Sequence, residues 1–149
     1  MLLTKLNKMF KFKLVSLSGK KFDDEVYEVV LPTKDGQIGV LSHHMPIISV
    51  VKNGVIMVRK NEKDSDAARE FFATNGGVIE VANNELKLLV DEADHADEIN
   101  KAEAEAALER AKKMRSEAKD QIDIEKAQSL MDRQSVRLAV ANLKHRKHN

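Results

Sequence analysis

The stretch Gly36-Gln37-Ile38-Gly39-Val40-Leu41-Ser42-His43-His44-Met45-Pro46-Ile47-Ile48 is short, apolar and punctuated at both ends. Gly36 and Gly39 admit backbone angles that other residues resist, or the close approach of another chain. Pro46 fixes one dihedral, removes an amide donor and pushes Met45 toward extended geometry. Between them lie a strand-like run and two adjacent histidines. The pattern is a brief strand that leaves a turn and enters a shaped loop, and such loops on rigid scaffolds often carry function.

Working outward, the flanks continue in the same idiom. Residues 12–17 are a partly alternating apolar run, followed by a turn at Ser18-Gly19-Lys20-Lys21. Residues 26–31 are β-branched and aromatic and stop at Pro32; Lys34-Asp35-Gly36 is the next turn. Residues 47–51 and 55–58 flank Asn53-Gly54, a hairpin signal. Residues 61–66 form a polar loop, and residues 67–74 run as a strand into Asn75-Gly76-Gly77. Residues 78–81 and 86–90 flank Asn83-Asn84, a second tight hairpin. Short strands at this spacing, with Gly and Asn turns and no room for crossover helices, predict an antiparallel β-sandwich or barrel over residues 10–91.

Near Asp91 the composition changes and alanine takes over. Asp97 reads as a helix N-cap, with Glu98 in the first turn complementing the helix dipole. Ala104, Leu108, Ala111, Arg115 and Ala118 recur at helical spacing, with Glu105, Glu109, Lys112 and Lys113 on the opposite face. Residues 119–123 make a polar break, with Asp123 as the next cap. Ala127, Leu130, Met131, Leu138 and Ala141 form a second apolar stripe. The tight link predicts an antiparallel two-helix hairpin over residues 92–149. Alanine-rich stripes let helices approach closely but bury little area, at ~25 cal/mol per Å². A permanently docked hairpin and one that detaches from the sandwich both fit this pattern.

Composition narrows the function. The chain has 149 residues, enough for one ordinary domain or two small ones. Its net charge of +1 exerts no global pull on nucleic acid or an anionic membrane. Without cysteine there is neither a disulfide framework nor thiolate metal ligation. No apolar run approaches the ~20 residues that span a bilayer. Residues 1–9 read as a disordered or alternative-start extension, with Met9 as the second start; their apolar part is too short for a secretory signal. The chain lacks a Gly-rich loop followed by Lys-Ser/Thr, a Gly-x-Ser-x-Gly elbow and a cysteine nucleophile, so no catalytic set is expected. Adjacent histidines on extended chain point to opposite sides, which disfavours a metal site at His43-His44.

The order of modules and two segments resemble a known family. Asp35-Gly36-Gln37-Ile38-Gly39-Val40-Leu41-Ser42-His43-His44-Met45-Pro46 looks like the Gly-Glu-Leu-Gly-x-x-x-x-His-x-Pro signature of F-type ATP synthase epsilon subunits (delta in mitochondria). Asn75-Gly76-Gly77-Val78-Ile79-Glu80-Val81 looks like that family's Gly-Gly-x-x-Glu-Val segment. The resemblance covers residues 12–143. It implies a non-catalytic central-stalk subunit, peripheral to the cytoplasmic face of a bacterial plasma membrane. Its partners would be the gamma subunit, the c-ring and the alpha and beta subunits. Its hairpin would inhibit ATP hydrolysis when extended. Nucleic acid is not among the implied partners.

The resemblance also assigns residues. Gln37 and His44 take positions that touch the c-ring, Gln37 standing where glutamate is common. From the residues alone, a solvated turn or a buried, satisfied histidine is the plainer reading; the resemblance favours contact for His44. Lys126, Arg133, Arg137 and Lys144 share one helix face and match residues that meet an acidic loop of the catalytic beta subunit; a solvated face is the plainer alternative. Some family members bind ATP through Ile/Leu-Asp-x-x-Arg-Ala, which here reads Ile99-Asn100-Lys101-Ala102-Glu103-Ala104. Glu103 would repel a phosphate where arginine would clamp it. Arg110, Arg133 and Arg137 match supporting arginines, yet ATP binding is expected to be weak or absent. A nucleotide-sensing regulatory protein is the competing reading.

Overall fold

The computed structural model describes residues 8–146. Ten strands come first: β1 (Phe10–Ser16), β2 (Gly19–Val26), β3 (Glu28–Thr33), β4 (Gly36–Val40), β5 (Ile47–Val51), β6 (Gly54–Arg59), β7 (Glu70–Thr74), β8 (Gly77–Ala82), β9 (Glu85–Val90) and β10 (Ala93–His95). Two helices follow, α1 (Lys101–Glu117) and α2 (Gln121–Arg146). The strand order is β10-β7-β6-β3-β5-β8-β9-β1-β2, with β4 added on β3 alone. The sheet folds over until its ends meet. Phe22 of β2 stacks at 5.4 Å on Phe12 and edge-on at 6.1 Å on Phe72 of β7. A sandwich followed by helices is the expected architecture.

Alternation drives this layering. β1 buries Phe10, Phe12, Leu14 and Ser16 while the residues between them are half exposed. β9 does the same with Leu86, Leu88 and Val90. Period-two burial places one face of each strand in the core. The interior is a single cluster that includes Val29, Leu31, Ile56, Ile79 and Leu88. Asn83 and Asn84 both take positive φ, 53° and 57°, and close the β8–β9 hairpin as its sequence predicts.

Several local expectations are corrected. The run over residues 19–26 is a strand, not only a turn. Its charged outer residues hide the apolar signal, but Phe22 and Val26 point inward. β3 continues through Pro32, which needs no amide partner there and accepts from the Lys52 N–H at 3.1 Å through its carbonyl. Asn53-Gly54 does not close a hairpin. β5 pairs β8 and β6 pairs β7, and the two share β3 as a neighbour instead. Gly54 is small because a Cβ would lie 2.9 Å from the Pro32 ring. Residues 67–74 split into a 3-10 turn at Asp66–Ala68 and β7. Ser65 caps that turn, and Arg59 donates to Asp66 and to the Asp64 carbonyl. The Arg59 hydrogen bond holds the Asp66 carboxyl below the usual carboxylate range. β1 and β9 run parallel, the one departure from antiparallel pairing among the described residues. β10 lies beyond Asp91 and pairs with β7.

The helix starts also move. Asn100 caps α1 by accepting from Glu103 N–H at 3.0 Å, whereas Asp97 lies in the 3-10 turn Ala96–Glu98. Asp120, not Asp123, caps α2, accepting from Asp123 N–H at 2.8 Å. A single Asp or Asn next to several others is ambiguous until the backbone chooses which one has the extended geometry a cap requires. The expectation for residues 1–9 lies mostly outside the described residues. Within them, Lys8 pairs with Glu62 at 3.0 Å and the Met9 carbonyl accepts from Asn84 at 3.0 Å.

Gly77 is the tightest point of the sandwich. A Cβ there would stand 2.1 Å from the Leu89 carbonyl oxygen and 2.7 Å from Val90 Cγ1. Neither backbone β9 nor a buried Val90 can yield that far. We predict that Gly77→Ala lowers stability by ~1–3 kcal/mol or more, as overpacking does. Thermal melting of the two chains checks it; an unchanged midpoint would remove the close-approach argument.

Candidate functional site

Three surfaces carry the residues of interest. The first is the outer margin at β4. As an edge strand it pairs only with β3, and Gly36, Gln37 and Gly39 are exposed. Gln37 lies beside the Lys34-Asp35 turn, which Thr33 Oγ1 braces by donating to the Gly36 carbonyl at 2.6 Å. His44 lies past the other end of the strand. At ~3.4 Å per residue, the length of β4 holds the two apart, so Gln37 and His44 do not form a cluster. A partner touching both must lie along the margin.

The histidine loop is a turn rather than extended chain. His43 has φ of 61° and its N–H donates to the Asn84 side-chain oxygen at 2.7 Å. His44 N–H reaches the Leu41 carbonyl at 3.2 Å, and His44 Nδ1 is 2.8 Å from the Met45 carbonyl. The premise that the two rings point apart on extended chain therefore gives way to a pinned loop. Among the described residues no group of three or more His, Asp or Glu side chains is positioned to hold a metal ion. Leu41 and Met45 are exposed on this loop. Asn84, legible in the sequence only as a turn residue, also holds His43 and binds the Met9 carbonyl, which sequence reasoning missed.

The second surface is the outer face of β5, β8 and β9. Val50 pairs with Val78, and Val78 with Leu89, so the three form one row across three strands. Ile48 stands two residues from Val50 on the same face. They are 56, 46, 58 and 78% exposed respectively. Exposed apolar side chains set side by side on a chain that is one-third charged make this face a candidate contact surface. The available signal for this site was that these strands carry apolar residues at outward as well as inward positions, as in Ile47-Ile48 and Leu88-Leu89.

The third surface joins α2 to the sandwich. Val140 is fully buried against Phe71, Ala73 and Ala96, with Val55, Met57, Ile99, Val136 and Leu143 around them. The stripe predicted between the helices behaves as expected at Ala104, Ala111, Ala127 and Ala141, which are buried, while Arg115 is exposed. Beside the apolar contact, Arg133 meets Glu92 at 2.8 Å, Arg137 meets Asp94 at 2.8 Å and Lys144 meets Asp97 at 2.9 Å. Lys21 of β2 reaches Glu98 at 3.3 Å. Three of the four basic-stripe residues thus face carboxylates of the same chain, and only Lys126 is exposed. Arg110 is exposed on α1, and among the described residues no bond joins it to Arg133 or Arg137. Asn100 is committed to capping α1.

With this geometry in view, the comparisons with known proteins align closely. Residues 9–96 match the family model described as ATP synthase, Delta/Epsilon chain, beta-sandwich domain. The chain is 35% identical to the ATP synthase epsilon chain of Gloeobacter violaceus, covering 88% of this chain and 96% of that one. It is 36% identical to the ATP synthase epsilon chain of Desulfitobacterium hafniense strain Y51, covering 89% and 96%. A chain in the structure of the Euglena gracilis mitochondrial ATP synthase, OSCP/F1/c-ring, superposes with a TM-score of 0.75 over 90% of this chain and 81% of that one, at 19% identity. A β-sandwich of the Delta/Epsilon type followed by two helices is the class of chain this fold defines. This chain belongs to the ATP synthase epsilon chain family.

The docking cluster makes a prediction. Val140→Asp places a carboxylate in the apolar contact and releases α2, while the sandwich, whose core it does not enter, stays folded. Amide hydrogen exchange would accelerate across α2 and leave β8 and β9 protected. Equal protection of α2 in both chains would show that the apolar contact does not hold it.

Proposed function

We propose that this chain is the non-catalytic central-stalk subunit of a bacterial proton-translocating F-type ATP synthase, passing rotation between the membrane ring and the catalytic head. The observation that carries the reading is the apolar row Ile48, Val50, Val78 and Leu89 on the outer sheet face of a member of this family. A face of that kind suits a permanent partner, and the gamma subunit is the one we assign. The β4 margin, with Gln37 at one end and His44 at the other, is assigned to the c-ring. The complex as a whole would hold the chain peripherally on the cytoplasmic face of the inner membrane.

The sandwich over residues 10–91, extended by β10, is the coupling module in this reading, and the helical hairpin is the brake on hydrolysis. Lys126, Arg133, Arg137 and Lys144 would meet the acidic face of the catalytic subunit once the hairpin extends. The competing reading, a nucleotide sensor built on Arg110, Arg133 and Arg137, is disfavoured. Two of those arginines already face Glu92 and Asp94, and the position of the family's aspartate is an asparagine occupied in capping. ATP binding is therefore weak or absent.

Two measurements test the assignment. Val78→Glu with Leu89→Glu puts two charges on the outer face without entering the core. Its affinity for the gamma subunit falls at least ~100-fold, since two buried unpaired carboxylates each cost several kcal/mol; unchanged affinity would move the gamma contact elsewhere. In the reconstituted synthase, removal of residues 101–149 raises ATP hydrolysis and leaves assembly intact. Unchanged hydrolysis would leave a coupling subunit with no brake.

A further inference from the structure

The three ion pairs between α2 and the sandwich form a pattern that the docking of an apolar helix does not require. Arg133, Arg137 and Lys144 project from one face of α2 at spacings of four and seven. Glu92, Asp94 and Asp97 project from the short segment around β10 that connects sandwich to hairpin. The cations that would grip an acidic partner are already gripping an acidic segment of the same chain.

The grip is also incomplete. The side-chain Nε of Arg133 and of Arg137 are both buried and have no hydrogen-bond partner. Each guanidinium reaches its carboxylate through one terminal nitrogen, Nη2 of Arg133 and Nη1 of Arg137. A forked, two-point pairing would be stronger. In the Lys144–Asp97 pair the carboxylate is largely exposed, so that pair is the most open to screening by salt. A buried donor left without a partner carries a desolvation cost in the docked posture, so the two arginine pairs hold it less firmly than forked ones would.

We propose that Glu92, Asp94 and Asp97 act as an internal acidic decoy: they occupy Arg133, Arg137 and Lys144 of the basic stripe, so a salt-sensitive latch, added to the apolar contact of Val140 and needing no bound nucleotide, sets how far the docked posture prevails. The proposal deepens the brake reading and rests on it only for the identity of the competing acidic surface. Because decoy and stripe belong to one chain, linked through α1, their pairing is intramolecular and its effective concentration does not depend on how much protein is present. A free acidic peptide at micromolar concentration loses to it. An acidic surface held beside α2 within the same assembly does not, and exchange of partners then releases the hairpin.

The test uses the full chain, whose lack of cysteine permits clean labelling. Lys63→Cys in the exposed loop and Asn142→Cys on α2 carry a pair of spin labels, and their distance distribution is read from low to high salt. The wild-type background opens progressively as salt rises. Glu92→Gln with Asp94→Asn and Asp97→Asn shifts toward the open posture already at low salt, its open-to-docked ratio raised about ten-fold by loss of two partly exposed pairs and one largely buried pair. Exchanging Asp94→Arg with Arg137→Asp in one chain returns the distribution toward wild type. Millimolar magnesium-ATP leaves all of these distributions unchanged. A triple variant that stays docked across the salt range overturns the latch, and closure of that variant by nucleotide overturns its independence from nucleotide. Protection of β8 and β9 amides confirms that each variant keeps its sandwich. A hydrolysis rate that ignores removal of residues 101–149 would defeat the brake reading alone, because the distance measurement needs no enzyme complex.

Discussion

The close approach of Gly77 to the Leu89 carbonyl governs what the sandwich shows to the outside. With no side chain at Gly77, β8 and β9 come together in one register, and alternation then has no freedom. Ile79, Val81, Leu86 and Leu88 go into the core; Val78, Glu80, Lys87 and Leu89 go out. A slip of one residue would reverse both sets, burying Glu80 and Lys87. The apolar row assigned to gamma is thus a by-product of the same register that fills the interior. Partner binding and folding draw on one geometric condition, which explains a glycine where most residues would serve a strand better.

Much of this was legible from residue order. The alternating runs, the Asn83-Asn84 turn and the swing to alanine past Asp91 were enough to place a sandwich before a helical hairpin. What escaped had physical reasons. β2 is mostly charged outward, so its two inward residues, Phe22 and Val26, were outvoted by their neighbours. Asn53-Gly54 has the composition of a hairpin, but β3 inserts between the strands it joins, and only long-range pairing reveals that. Cap assignment failed by three residues at both helices because Asp97, Asn100, Asp120 and Asp123 all have suitable side chains. On the surfaces, the basic stripe was visible as a helical spacing, but its carboxylate partners lie some forty residues away in sequence. Gln37 and His44 are close in sequence yet stand at opposite ends of a strand, which spacing alone does not convey.

The hairpin is held by two kinds of force that respond to different conditions. Burial of Val140 among Phe71, Ala73 and Ala96 is insensitive to salt. Ion pairs at the rim of that contact are sensitive to it. Between the two helices the buried residues are mostly alanine, which hold the axes close with little area and leave each helix able to act as a rigid rod. The strong part of the molecule is the sandwich, and the adjustable part is attached to one of its faces.

β2 carries a last consequence. It ends the sheet, and the end of a sheet offers unpaired backbone to any passing strand. Lys20, Lys21, Asp23, Asp24 and Glu25 crowd that rim, with Asp23 fastened to Lys20 at 2.8 Å. Charge guards the border where accidental fibril growth would begin, while the row of Ile48, Val50, Val78 and Leu89 lies on the flat side of the sheet, away from that edge. A newly made copy waiting for assembly therefore keeps its open strand edge charged and its largest apolar row off that edge.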